Sequence, residues 1–207
     1  RRHVLRSARR PADAASGDGD SGSDKDFVGR LFLQPWKGAK NSSLGGLGFG
    51  LAGTVGGRGE SIAGQGFRTP GRSTFFRYAL GVSETGSHSR IGAQTYYYAG
   101  PFGAMAEALQ SELRAQSGMR TANLRHRGWF VQGEYVLTGE KAGYRSVTPS
   151  MPYSSALGRG GAVQLAARYS RLDLDPRSFA LGIADPAVSA QGACEFTVGL
   201  NWFLLKE

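Results

Sequence analysis

Gly48-Phe49-Gly50-Leu51-Ala52-Gly53 has the G-x-G-x-x-G spacing of a turn that cradles a dinucleotide pyrophosphate. That chemistry needs a buried apolar strand before the motif and a helix after it, so that backbone N–H groups meet the phosphates. Here Lys40-Asn41-Ser42-Ser43 stands before it and Thr54-Val55-Gly56-Gly57-Arg58-Gly59 after it. Neither context fits, and no acidic residue opens a second strand about 20 residues on. Other chemistry is equally thin. His3, His88 and His126 share no ligand spacing, and the single cysteine, Cys194, rules out an internal disulfide and any multi-cysteine metal site. Cys194 reads as an incidental thiol near a strand end. The acidic segment 18–26 begins D-x-D like a calcium loop but lacks the glycine and the terminal glutamate, so it reads as a solvated loop. No serine, cysteine or carboxylate constellation points to catalysis. The sequence therefore predicts no enzyme, no cofactor and no metal site. The arginines remain, because guanidinium matches the geometry of oxyanions.

Where those arginines stand depends on the elements that carry them. The 32 glycines among 207 residues show no collagen-like period. Helix interiors tolerate glycine poorly, so the composition points to strands and turns. Alternation of apolar and polar or tiny residues then recurs along the chain. Leu47, Phe49, Leu51 and Val55 oppose Gly46, Gly48, Gly50, Ala52 and Thr54. Ile91, Ala93, Thr95 and Tyr97 oppose Arg90, Gln94, Tyr96 and Tyr98. The same holds for Phe27–Gln34, for Trp129–Thr138, for Val163–Ser170 and for Glu195–Leu204. The pattern predicts an antiparallel all-β protein. Two regions resist it. Residues 74–82 read as a short strand inside a long glycine-rich loop. Residues 103–116 have helix-forming composition; as a strand they would place Ala104, Ala106 and Ala108 on one face and Met105 and Glu107 on the other.

A soluble β-sandwich or lipocalin-like binding module shares this period with a transmembrane barrel. The polar face favours the barrel, because it mixes tiny residues with single charges rather than the dense Lys, Glu and Thr of a solvated sheet. The apolar face carries almost no charge at its strand centres, as a lipid-facing band requires. Aromatic residues gather near strand ends, among them Trp36, Trp129, Tyr169 and Trp202, in the manner of interfacial girdles. No apolar run reaches the ~18 residues of a membrane-crossing helix. The net charge of +9 is concentrated: five of the 25 basic residues lie in the first ten positions, which hold no acid. The body has no matching basic run, so nucleic acid is not an expected partner.

Six segments, in order, resemble the phosphate-selective porin O and P family: Asp24–Phe32, Gly46–Gly53, Tyr96–Gly103, Tyr135–Glu140, Ala167–Leu174 and Thr197–Trp202. The resemblance covers roughly residues 17–204. It implies a 16-stranded outer-membrane barrel in a Gram-negative bacterium, trimeric, embedded in outer-membrane lipid and passing small anions such as phosphate and polyphosphate by diffusion. Residues 1–26 would form an irregular segment and acidic loop. Residues 27–207 would form a partial barrel of about seven spanning strands, an internal piece lacking the strands on either side. The Ala99–Phe102 turn would face the periplasm and the 18–26 loop the exterior. Residues 1–16 do not look like the family, and Ala104–Gln116 lacks the aromatic expected of that strand. A piece of this kind has two unpaired edges and is not expected to close by itself. On strand parity Arg30, Arg90 and Arg168 point into the lumen, with Arg77 a further candidate from the loop element. Each could contact anions or stand as a wall charge paired with Glu134 or Glu195.

Overall fold

A computed structural model describes residues 25–39 and 43–205. The basic tail, His3 and most of the acidic segment lie outside the described residues. Seven long strands form one antiparallel sheet, each beside its neighbour in the chain: β1 (Phe27–Leu33), β2 (Leu47–Arg58), β5 (Val82–Ala99), β6 (Phe102–Ser117), β7 (Arg120–Val136), β8 (Ala162–Asp173) and β9 (Gly192–Phe203). Between β2 and β5 a small hairpin pairs β3 (Gly66–Arg68) with β4 (Thr74–Arg77). One helical turn, α1 (Arg177–Ala180), follows β8. The sheet is open, with β1 and β9 as its edges. Residues 74–82 prove to be β4, a turn and the first residue of β5. The strand β3 and the turn α1 were not legible as elements in the sequence.

The helix-forming segment 103–116 is a strand. Its backbone is hydrogen-bonded along both sides, to β5 and to β7, in ladders that run almost its whole length. Two full ladders outweigh a few tenths of a kcal/mol per residue of local preference. The neighbours supply the bulk that its alanines lack: Ala104 pairs with Tyr97, and Ala108 pairs with Trp129.

Register sorts every side chain onto one of two faces. Leu31, Leu51, Ala93, Ala108, Trp129 and Val131 share one, and it continues through Tyr169, Phe196, Val198 and Leu200. Among the described residues no second sheet covers this face. Phe196 is 69% exposed, Leu200 67% and Trp202 54%. A sandwich buries such a face against a partner sheet, and this sheet has none. The face changes character towards one end, where Arg125 pairs with Glu112 at 2.5 Å, Arg127 Nε donates to Gln110 at 3.0 Å and Arg171 pairs with Asp173 at 2.8 Å.

Packing is concentrated at the two ends of the opposite, inner face. At one end the β3–β4 hairpin and the α1 segment press Phe76 and Ile183 onto Leu113 and Leu124 of the sheet. A two-residue turn, Gly118-Met119, closes β6 to β7 at this same end, with Gly118 at φ 60°. At the other end Val147 of the 137–161 loop packs on Val136 and Ala162. This loop stands beside the tight Ala99–Phe102 turn: Ala142 N–H donates to the Gly100 carbonyl at 2.8 Å. Long and short connections therefore occur at both ends.

Candidate functional site: the inner wall

The G-x-G-x-x-G segment lies within β2 and makes no turn. Its glycines Gly48 and Gly50 face inward because long side chains of β5 lie across them. A Cβ on Gly50 would stand 2.7 Å from Gln94 Cγ, and one on Gly48 would stand 2.6 Å from the Tyr96 ring. Gly53, on the outer face, has only ordinary contact, 3.5 Å from the Arg90 carbonyl. The tiny face is thus a bed for side chains from the next strand.

Arg30 pairs in register with Ala52, Arg90 with Thr54 and Ser111, and Arg168 with Gln132 and Thr197. Cross-strand partners share a face, so all three lie on the inner wall, as the parity of the sequence implies. Arg30 and Arg90 line one recess of about 170 Å³, together with Gln94 and Glu107. Among the described residues neither guanidinium has an ion-pair partner. Arg168 is held differently, with its guanidinium carbon 3.7 Å above the centre of the Phe130 ring, a cation–π contact. The pairing with Glu134 or Glu195 does not occur. Glu134 Oε1 is buried with no hydrogen-bond partner, and Glu195 accepts from Thr197 at 2.7 Å. Arg77 stands apart at the end of β4, exposed, its N–H donating to Ser189 Oγ at 3.1 Å.

Two further groups belong to this wall. Tyr96 anchors an aromatic cluster, with ring centres 5.7 Å from Phe32, 5.5 Å from Tyr98 and 5.2 Å from Tyr144. Gln34 Nε2 donates to its hydroxyl at 2.7 Å. Tyr144 brings the 137–161 loop across the inner face. Glu140 tethers that loop, accepting from Thr138 Oγ1 and from Ser150 N–H and Oγ at 3.1 and 2.9 Å. The Thr138 hydroxyl is the largest influence; with the Ser150 donors it outweighs the opposing effect of burial and holds the carboxyl down at about 2.

At the opposite end His126 is buried between Tyr78 and Asp175. Its Nδ1 accepts from Asp175 N–H at 3.2 Å, so its Nε2–H donates to Tyr78 Oη at 2.8 Å. Asp175 accepts from the Arg177 guanidinium at 2.6 Å and from the N–H groups of Arg125 and Arg177 at 2.9 Å each. Burial opposes its charge, but these donors outweigh burial and keep the carboxyl at about 2. Burial, with Glu84 adding to it, pushes the Tyr78 hydroxyl well above the usual tyrosine range. Among the described residues no group of three His, Cys, Asp or Glu could hold a metal ion, and no helix is long and apolar enough to cross a membrane. Parity alone located Gln94. Glu107 depended on reading 103–116 as a strand, and the inward position of Tyr144 left no local signal.

A sheet whose long strands present an uncovered apolar face on one side and a row of guanidinium groups on the other has the build of a porin wall. The sequence model for "phosphate-selective porin O and P" matches residues 73–207, more than half of the chain, and the chain belongs to that family. Arg77, Arg90 and Arg168 fall inside the matched residues; Arg30 and the glycine-rich β2 precede them. No curated protein matches the chain.

Proposed function

We propose that this sheet is part of the wall of a water-filled outer-membrane channel through which small anions such as phosphate diffuse passively. The observation that carries the reading is the pair Arg30 and Arg90, two guanidinium groups without ion-pair partners among the described residues, lining one recess on the inner face of strands whose outer face is apolar. A confined cationic wall lowers the cost of stripping water from an anion. Shared, shallow contacts keep binding weak enough for the ion to leave. Arg168 extends the cationic wall along β8, and Arg77 adds charge from the hairpin. The outer face meets the lipid of a Gram-negative outer membrane. The free edges of β1 and β9 pair with further strands, since open sheet edges do not persist in hydrocarbon; the family resemblance supports closure at 16 strands and a homotrimer. The Ala99–Phe102 end faces the periplasm.

The test is a single-channel recording of the porin containing this sheet, with reversal potentials measured in asymmetric potassium chloride and potassium phosphate. A reversal potential on the anion side is the expected result. Cation selectivity would overturn the proposal.

A further inference from the structure

Beneath the β3–β4 hairpin lies a second and larger chamber of about 410 Å³, floored by the inner face of β5–β8. Its two sides differ in chemistry. The β5 side carries Glu84, His88 and Arg90, with Ser111 of β6 in register beside Arg90. Leu109, Leu172 and the Phe67 ring form an apolar flank, beside which stand Gln65, Tyr78 and His126.

The charges there are almost all accounted for. Glu84 is engaged by His88 Nδ1, and His126 is satisfied on both ring nitrogens. Arg90 has no ion-pair partner among the described residues. His88 Nε2 is buried without a hydrogen-bond partner two residues further along the same face. One free cation, one hydroxyl and one unmet ring nitrogen thus stand together against an apolar wall.

We propose that this chamber binds a monocarboxylate with a ring-sized apolar body, as a docking point on the anion path; the inference rests on the porin reading above. The carboxylate meets Arg90 and Ser111, and the body lies against Leu109, Leu172 and Phe67. Phosphate suits the chamber poorly. Its further oxygens would face apolar carbon or the Glu84 carboxylate, and unpaired polar groups in such surroundings are costly. Arg90 also lines the recess shared with Arg30, so a docked carboxylate has an exit onto the rest of the wall.

The experiment measures binding of benzoate, acetate and inorganic phosphate by calorimetry to the porin containing this sheet, purified in detergent micelles, with empty micelles as the blank. Saturable benzoate binding at least tenfold tighter than acetate or phosphate is expected. Arg90→Gln should abolish it, and Phe67→Ser should reduce the benzoate-to-acetate ratio at least fivefold. Circular dichroism checks that each variant folds, and Ser111→Val, expected to weaken benzoate at least threefold, replaces Arg90→Gln if that variant does not. Equal affinity for the three anions, or benzoate binding indifferent to these changes, would overturn the inference. Anion-selective conductance without benzoate preference sinks this inference alone. Benzoate preference in a cation-selective pore sinks the pore reading and, since the anion path goes with it, leaves the chamber only as a binding site.

Discussion

Gly48 and Tyr96 face each other across the β2–β5 ladder so closely that the ring occupies the space a Cβ would need, 2.6 Å from its Cζ. The ring cannot swing away freely, because Gln34 holds its hydroxyl and Phe32 stacks on it. Gly48→Ala should therefore destabilise the sheet by roughly 1–3 kcal/mol, the usual cost of overpacking. Gly53→Ala, in the same motif but on the outer face with ordinary contacts, should be neutral or slightly stabilising, since it lowers the freedom of the unfolded chain. Thermal unfolding in micelles separates the two; equal losses would refute this account of the glycine face.

Arg30 and Arg90 share a recess, so in the proposed channel each would attract the same anion. At about 5 Å in a water-like dielectric one charge is worth about 0.8 kcal/mol. Replacing either by glutamine should lower the anion-to-cation permeability ratio about fourfold, measured from reversal potentials. Arg77→Gln should change it less, because Arg77 stands apart from that recess.

Glu140 should make the 137–161 loop sensitive to acid. Its carboxyl titrates at about 2 when held by Thr138 and Ser150, against 4.5 ordinarily. A depressed carboxyl contributes stability that is complete above the ordinary value and is lost as pH falls through the folded one. Amide exchange in the loop should therefore show protection weakening between pH 4.5 and 2. Glu140→Gln should be less protected at neutral pH and should lose most of that acid dependence.

Asp175 joins Arg177, Arg125 and His126 where the α1 segment meets β7. Asp175→Asn keeps the shape but removes the charge-assisted bonds, and should cost roughly 1–2 kcal/mol. The loss should appear as a lower unfolding midpoint and faster proteolysis of 174–191. Arg177→Ala should give a smaller loss, because its guanidinium is half exposed.

Much of the sheet was legible because period-two alternation is a local signal. It placed Arg30, Arg90 and Arg168 on one face before any register was known, and it marked six of the seven strands of the sheet. The segment 103–116 was ambiguous because alanine, glutamate and leucine favour a helix, and only the ladders that β5 and β7 form on its two sides decide against it. The β3–β4 hairpin is too short for a period, and what fixes it is the packing of Phe76 on a distant strand. Tyr144 reaches Tyr96 through a loop with no repeating pattern at all. Glu134 and Glu195 lie diagonally beside Arg168 on the same face, but the Phe130 ring holds the guanidinium and Thr197 donates to Glu195, contacts that charge and parity do not signal.

The outer face changes from apolar to ion-paired between Val131 and Arg127, yet β6 and β7 continue to the Gly118-Met119 turn, where Met119 is fully exposed at 102%. At about 3.4 Å per residue and a tilt near 40°, that stretch carries the tip roughly 20 Å beyond the apolar band. In the proposed orientation this tip is among the first parts that an antibody or a phage tail meets on the cell. A side chain without contacts to preserve can be exchanged at little cost to the sheet. Selection by whatever recognises the cell surface can therefore rewrite the turn while the arginine wall below it stays as it is.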